Sequence, residues 1–123
     1  MLLDGAIKFA GKGRDGLDRR DFEAAYDGIS RTQQILVELI NALQPEQAPD
    51  LCQRLQGLYT FMYTRLIQAS RQRSAAIVDE VIQLLTYERE TWAMAMQKLA
   101  EEQGTAAPAP NERQPPATVS VRG

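Results

Sequence analysis

The chain has 123 residues, 44% of them apolar, and a net charge of -2 from 14 basic and 16 acidic residues. That is one domain's length with enough apolar content for a core, and no charge excess to draw it to nucleic acid or acidic membranes. It has no histidine and a single cysteine, Cys52, which excludes an internal disulfide, an imidazole or thiolate zinc site and a Cys–His nucleophile.

The first element is expected over residues 2–18. Leu2, Leu3, Ala6, Ile7, Ala10 and Leu17 suit one helix face, but glycines at 5, 11, 13 and 16 dilute its propensity. Each costs about 1 kcal/mol relative to alanine in a helix interior, so this helix needs partners. Within it, Gly11–Gly16 reads GKGRDG, the letters of a dinucleotide-binding turn. Such a turn needs a buried strand before it and an acidic residue after a second strand. Here the flanks have helical spacing, and a Walker A reading fails for lack of Ser or Thr after Lys12. The glycines are better read as small residues where two helices meet. On that reading Gly13→Ala and Gly16→Ala should stabilise the fold by about 0.4–1 kcal/mol each, given room for the methyl.

The second helix is expected over 21–44. Phe22, Ile29, Leu36 and Leu43 recur every seven residues, and Ala25, Tyr26, Leu39 and Ile40 widen the stripe. Asp21 is the predicted N-cap, and Pro45 ends the helix. A third helix is expected over 50–70, with Leu51, Leu55, Leu58, Met62, Leu66 and Ala69 as its stripe and Cys52, Tyr59, Tyr63 and Ile67 beside it. The fourth, over 74–102, starts at a Ser74 cap. Ile77, Val78, Val81, Leu84, Leu85, Trp92 and Met96 carry its face. No stretch alternates as a strand would. Short connections between four such helices predict an all-α, antiparallel up-down four-helix bundle over 1–103. Residues 104–123, with four of the six prolines, are expected to be a disordered tail.

Asp79, Glu80, Glu88, Glu90, Glu101 and Glu102 are read as a solvated charged face rather than a metal site, since bundle di-metal sites use Glu-x-x-His pairs. Arg19, Arg20, Arg71 and Arg73 fall at helix ends, where cations complement the C-terminal dipole. No cofactor, metal or nucleic-acid partner is expected, and no catalytic residue is assigned. No apolar run reaches the ~18 residues of a membrane span, and the N-terminus lacks signal-peptide features. A soluble cytoplasmic protein is therefore expected, with no stable membrane insertion. The run LYTFMYTRL covers more than one helix face, which points to a bundle with apolar surface left for a partner.

Four motifs occur in order: LLDGAIKF, ISRTQQILVEL, LQGLYTFMYTRLIQAS and DEVIQLLTYERETW. Together, over Leu2 to about Met96, they resemble the FliS family of flagellar secretion chaperones. The L-Y-D-G-A-I pattern of that family is similar to Leu2–Ile7, with Leu3 in place of the Tyr. Its L-Y-x-x-M-x-x-R-L pattern matches Leu58, Tyr59, Met62, Arg65 and Leu66. Its L-L-x-x-x-R-x-x-W pattern matches Leu84, Leu85, Arg89 and Trp92.

The resemblance implies a non-enzymatic bundle whose client is the disordered C-terminal segment of flagellin. That segment wraps the bundle and folds on it. Binding would keep flagellin from polymerising early and help deliver it to the flagellar export apparatus, with the export gate as a further partner. Candidate flagellin contacts are Ile7 and Ala10 on the first helix and Tyr59, Met62, Tyr63 and Leu66 on the third. Family members carry a segment ahead of this first motif, whereas Met1 here stands inside it. The expectation is a misplaced start or a truncation. The alternative to the chaperone is a self-associating structural bundle without an export role.

Overall fold

The computed structural model describes residues 2–106. They form four helices: α1 (Leu2–Asp18), α2 (Phe22–Asn41), α3 (Pro49–Gln72) and α4 (Ala75–Ala106). Two compact units divide the chain, the first ending at Arg89 and the second starting at Glu90. The first holds α1, α2, α3 and residues 75–89 of α4. The second holds helical residues 90–106, in which Trp92, Met94, Met96 and Leu99 are exposed. The helix runs past Gly104, because one glycine costs only about 1 kcal/mol and does not forbid propagation. The tail expected over 104–123 otherwise lies outside the described residues.

Local chemistry sets the helix ends. The Asp21 carboxylate accepts from the Ala24 amide at 3.2 Å and opens α2. The Ser74 hydroxyl accepts from the Ile77 amide at 3.2 Å and opens α4. Pro49, whose missing N–H is no loss in a first turn, opens α3. α2 stops at Asn41, short of the expected Gln44. Its last turn tightens, with Leu43 N donating to Ile40 O at 3.2 Å, and Pro45 disfavours helical backbone just before it. Both α1 and α3 close through a left-handed arginine, Arg20 at φ 59° and Arg73 at φ 53°. The following amides bond back across the turn, Asp21 N to Gly16 O at 2.8 Å and Ser74 N to Ala69 O at 3.0 Å.

Cross-helix pairs fix the topology of the first unit. Thr32 of α2 reaches Ala6 of α1, and Gln33 reaches Tyr63 of α3. Arg65 of α3 bonds Glu80 of α4, and Tyr59 bonds Glu88. Arg14 and Asp4 of α1 pair with Asp79 and Arg89 of α4. Along α3/α4 and α1/α4 the partner number falls as the other rises, and Gly13 and Gly16 of α1 meet Ile29 and Ala25 of α2 in the same falling order, so these neighbours are antiparallel and the bundle is up-down-up-down. The core is Leu3, Ala6, Ala10 and Leu17 from α1, Ala25, Ile29, Ile35 and Leu36 from α2, Tyr59, Met62, Leu66 and Ala69 from α3, and Val78, Val81 and Leu85 from α4.

The closest approach is between α1 and α2. A methyl added at Gly16 would lie 2.6 Å from the Ala25 backbone nitrogen. At Gly28 it would lie 2.5 Å from the Gly13 nitrogen and 2.7 Å from the Phe9 carbonyl oxygen. At Gly13 it would meet Ile29 Cγ1 at 2.9 Å and the Ala25 carbonyl at 3.3 Å. At Gly16 and Gly28 backbone touches backbone and no rotamer change can make room, whereas at Gly13 the nearest atom belongs to the Ile29 side chain and the backbone follows at 3.1 Å. The room for a methyl on which the expected gain from Gly13→Ala and Gly16→Ala depended is absent at Gly16 and tight at Gly13. The helix-propensity gain is real, but at Gly16 the overpacking cost exceeds it. Thr32 seals the same seam: its hydroxyl donates to Gly28 O at 2.9 Å and lies 3.4 Å from Ala6 O.

The glycines therefore sort by their neighbours. Nothing lies within 4 Å of a Cβ built at Gly11 or Gly57. Gly11→Ala and Gly57→Ala should each raise stability by about 0.5–1 kcal/mol. Gly16→Ala and Gly28→Ala should each lower it by about 1–3 kcal/mol or more. Urea denaturation midpoints at constant m-value separate the two classes.

Candidate functional site

Each helix seam of the first unit is held differently. α1 and α2 meet through glycines. α1 and α4 are joined by Arg14–Asp79 at 2.9 Å and Arg89–Asp4 at 3.3 Å. α3 and α4 are joined by the Arg65 fork, whose Nε and Nη2 donate to the two Glu80 oxygens at 3.2 and 2.7 Å. Among the described residues the α2/α3 seam carries one side-chain hydrogen bond, Gln33 Nε2 donating to the Tyr63 carbonyl at 3.3 Å. It is the least secured of the four.

That seam also carries exposed apolar side chains. On α2, Tyr26, Ser30, Gln33 and Val37 follow 4-3-4 spacing and share a face. On α3, Tyr63 and Ile67 stand one turn apart on the same side of the helix. Tyr26 is 66% exposed, Val37 42% and Ile67 41%, while Tyr63 is half-buried. A shallow depression lined by Ser30, Gln33, Val37, Glu38 and Tyr63 lies along it. Apolar side chains with a few amide and hydroxyl groups between them suit a partner helix or extended segment. Acid–base chemistry has no such basis, since the residues lining this depression include a single titratable carboxylate, Glu38, beside Tyr63.

Of the residues expected to touch a client, Ala10, Tyr59, Met62 and Leu66 lie in the core. Only Ile7 and Tyr63 are half-buried. Nor do these two come together. Tyr63 lines the α2/α3 seam. Ile7 lies one turn from Asp4 and two from Arg14, which both pair with α4, so it belongs to the opposite seam. The stripe of α3 is rotated from the expected one: Leu51 is exposed and Tyr59 is central. On α4 the core side ends at Leu85 and Glu88, with Trp92 and Met96 exposed. Tyr26, Val37 and Ile67 were not among the expected contacts. The signal for Tyr26 and Ile67 was their place at the margin of an apolar stripe.

Glu88 also departs from expectation. It is buried rather than solvated, and the Tyr59 hydroxyl donates to its Oε2. Burial of the tyrosine ring places that hydroxyl where a carboxylate can be held inside the bundle, since a buried polar group must find a partner. Among the described residues no group of three or more His, Cys, Asp or Glu is placed to hold a metal ion. The GKGRDG stretch lies inside α1 and forms no loop. Among the described residues no helix is long and apolar enough to cross a membrane.

Comparison with known proteins follows the same lines. A family model described as flagellar protein FliS matches residues 1–99. The chain is 31% identical over 93 residues to the flagellar secretion chaperone FliS of Salmonella typhimurium, covering 75% of this chain and 69% of that one. It is 29% identical over 92 residues to the Campylobacter jejuni protein of the same name, covering 75% and 72%. It is 28% identical over 97 residues to that of Bacillus subtilis, covering 79% and 71%.

The buried position of Tyr59 separates stability from surface function. Tyr59→Phe should lower stability by about 1–3 kcal/mol through loss of a hydrogen bond to a carboxylate. It should leave the α2/α3 surface, and any binding there, unchanged. Thermal melts paired with a binding titration test both halves.

Proposed function

The chain belongs to the FliS family, and from that premise we propose that it is an export chaperone for flagellin. It binds the disordered C-terminal segment of flagellin in the cytoplasm, holds it from premature polymerisation and assists its delivery to the flagellar export apparatus, the export gate included. The curated relatives are named as chaperones, a non-enzymatic family.

The observation that supports this reading is the open α2/α3 seam with Tyr26, Val37, Tyr63 and Ile67 along it. A disordered client loses conformational entropy when it folds on a surface, so that surface must supply long apolar contact. Ile7, in the opposite seam, gives a client that wraps the bundle a second place to engage. Ala10, Tyr59, Met62 and Leu66 act from beneath, as the packed floor that fixes where the surface residues stand.

Tyr63→Asp tests the reading. Its half-buried ring lies at the seam, so a carboxylate there should cut affinity for a flagellin C-terminal peptide by about tenfold or more. The bundle should still melt cooperatively. Calorimetric titration of wild type and variant, with thermal melts of both, decides it. A wild-type chain that ignores the peptide and forms a stable oligomer supports the self-associating bundle instead.

A further inference from the structure

At the end of the α2/α3 seam nearest the α1–α2 and α3–α4 turns lies a cleft of about 240 Å³. Leu17, Phe22 and Ile29 form its floor, and Tyr26, Arg71 and Arg73 its rim. The floor is apolar and the charged part of the rim is cationic. Among the described residues neither Arg71 nor Arg73 is in an ion pair; Arg19, Arg20 and Arg54 are not either, but of these unpaired arginines only Arg71 and Arg73 line the cleft.

Arg73 is also held in place. Its backbone is left-handed at φ 53°, a region that favours glycine and costs an ordinary residue about 1–2 kcal/mol. Its guanidinium carbon lies 4.0 Å from the centre of the Phe22 ring. Stacking of this kind fixes the plane of the fork and leaves its N–H edges free to bond. An arginine kept at a strained turn, oriented by an aromatic ring and lacking a carboxylate, is pre-organised for an anion from outside. The other end of the seam is lined by Glu38, so the groove is polarised along its length.

We propose that Arg71 and Arg73 bind a side-chain carboxylate of the docked segment, next to a large apolar side chain of that segment that enters the Leu17–Phe22–Ile29 cleft. The partner is thus an amphipathic peptide bearing an Asp or Glu beside its apolar anchor. Charge complementarity sets its direction in the seam: the acidic residue lies at the Arg71–Arg73 end, away from Glu38. The inference rests on the proposed flagellin-binding role and adds orientation and a specificity contact to it.

The test uses the full chain and a flagellin C-terminal peptide, titrated at low and high salt. Arg71→Gln and Arg73→Gly are the variants; glycine suits the left-handed backbone, so the turn is kept. Each should weaken binding by about tenfold at low salt, and the two together should flatten the salt dependence. Asn or Gln in place of one acidic residue of the peptide should cause the same loss in wild type and none in the Arg71→Gln, Arg73→Gly double variant. If both variants bind with wild-type affinity and salt dependence, the carboxylate contact is overturned while flagellin binding stands. If amidating the peptide's end, with its acidic residues intact, abolishes the arginine dependence, the side-chain assignment is overturned. If wild type does not bind at all, the underlying role falls, and this inference with it.

Discussion

The bundle depends on the contact between the backbones of α1 and α2. Gly13, Gly16 and Gly28 lack a side chain where a Cβ would fall 2.5–2.9 Å from atoms of the other helix. At this separation the two helices gain dispersion contacts along their main chains that larger residues would prevent. The same glycines weaken α1 as an isolated helix. α1 therefore forms because α2 is there, and α2 presents Gly28 and the self-satisfied Thr32 because α1 lies against it. Helix formation and helix packing are here a single event.

With α1 and α2 drawn together, the other seams take on different work. Ion pairs join α1 to α4 and α3 to α4. Surface pairs of this kind each add little stability, typically below about 1 kcal/mol, but they specify which helices are neighbours. The α2/α3 seam has neither glycine contact nor ion pair among the described residues. What it has is Tyr26, Val37, Tyr63 and Ile67 along a groove. A chaperone must stay folded while keeping apolar surface available. Securing three seams and leaving the fourth open meets both demands.

The run LYTFMYTRL shows how one segment serves both ends. Tyr59 and Met62 point inward, and the tyrosine hydroxyl holds the buried Glu88 carboxylate. Tyr63 turns to the groove, Phe61 to solvent, and Arg65 to Glu80. Five residues in nine thus meet four environments. Helical geometry requires this, since successive residues turn about 100° around the axis. A residue's chemistry alone did not say which face it would occupy.

Much was legible in the sequence. Apolar spacing, Asp21, Ser74 and the prolines fixed four helices and their approximate ends, because those signals act within a few residues. Four motifs in register showed the family. Three things only the tertiary structure decided. Tyr59 became core and Leu51 surface, because the α3 stripe is broad enough to rotate by part of a turn. Glu88 became a buried partner rather than a solvated charge, because a tyrosine from another helix reaches it. The glycines of GKGRDG divided into an open Gly11 and closed Gly13 and Gly16, because the distance to α2 is a property of the pair of helices. Local composition sets what a segment forms. Which side of it is crowded, and how closely, is set by the neighbours that packing brings.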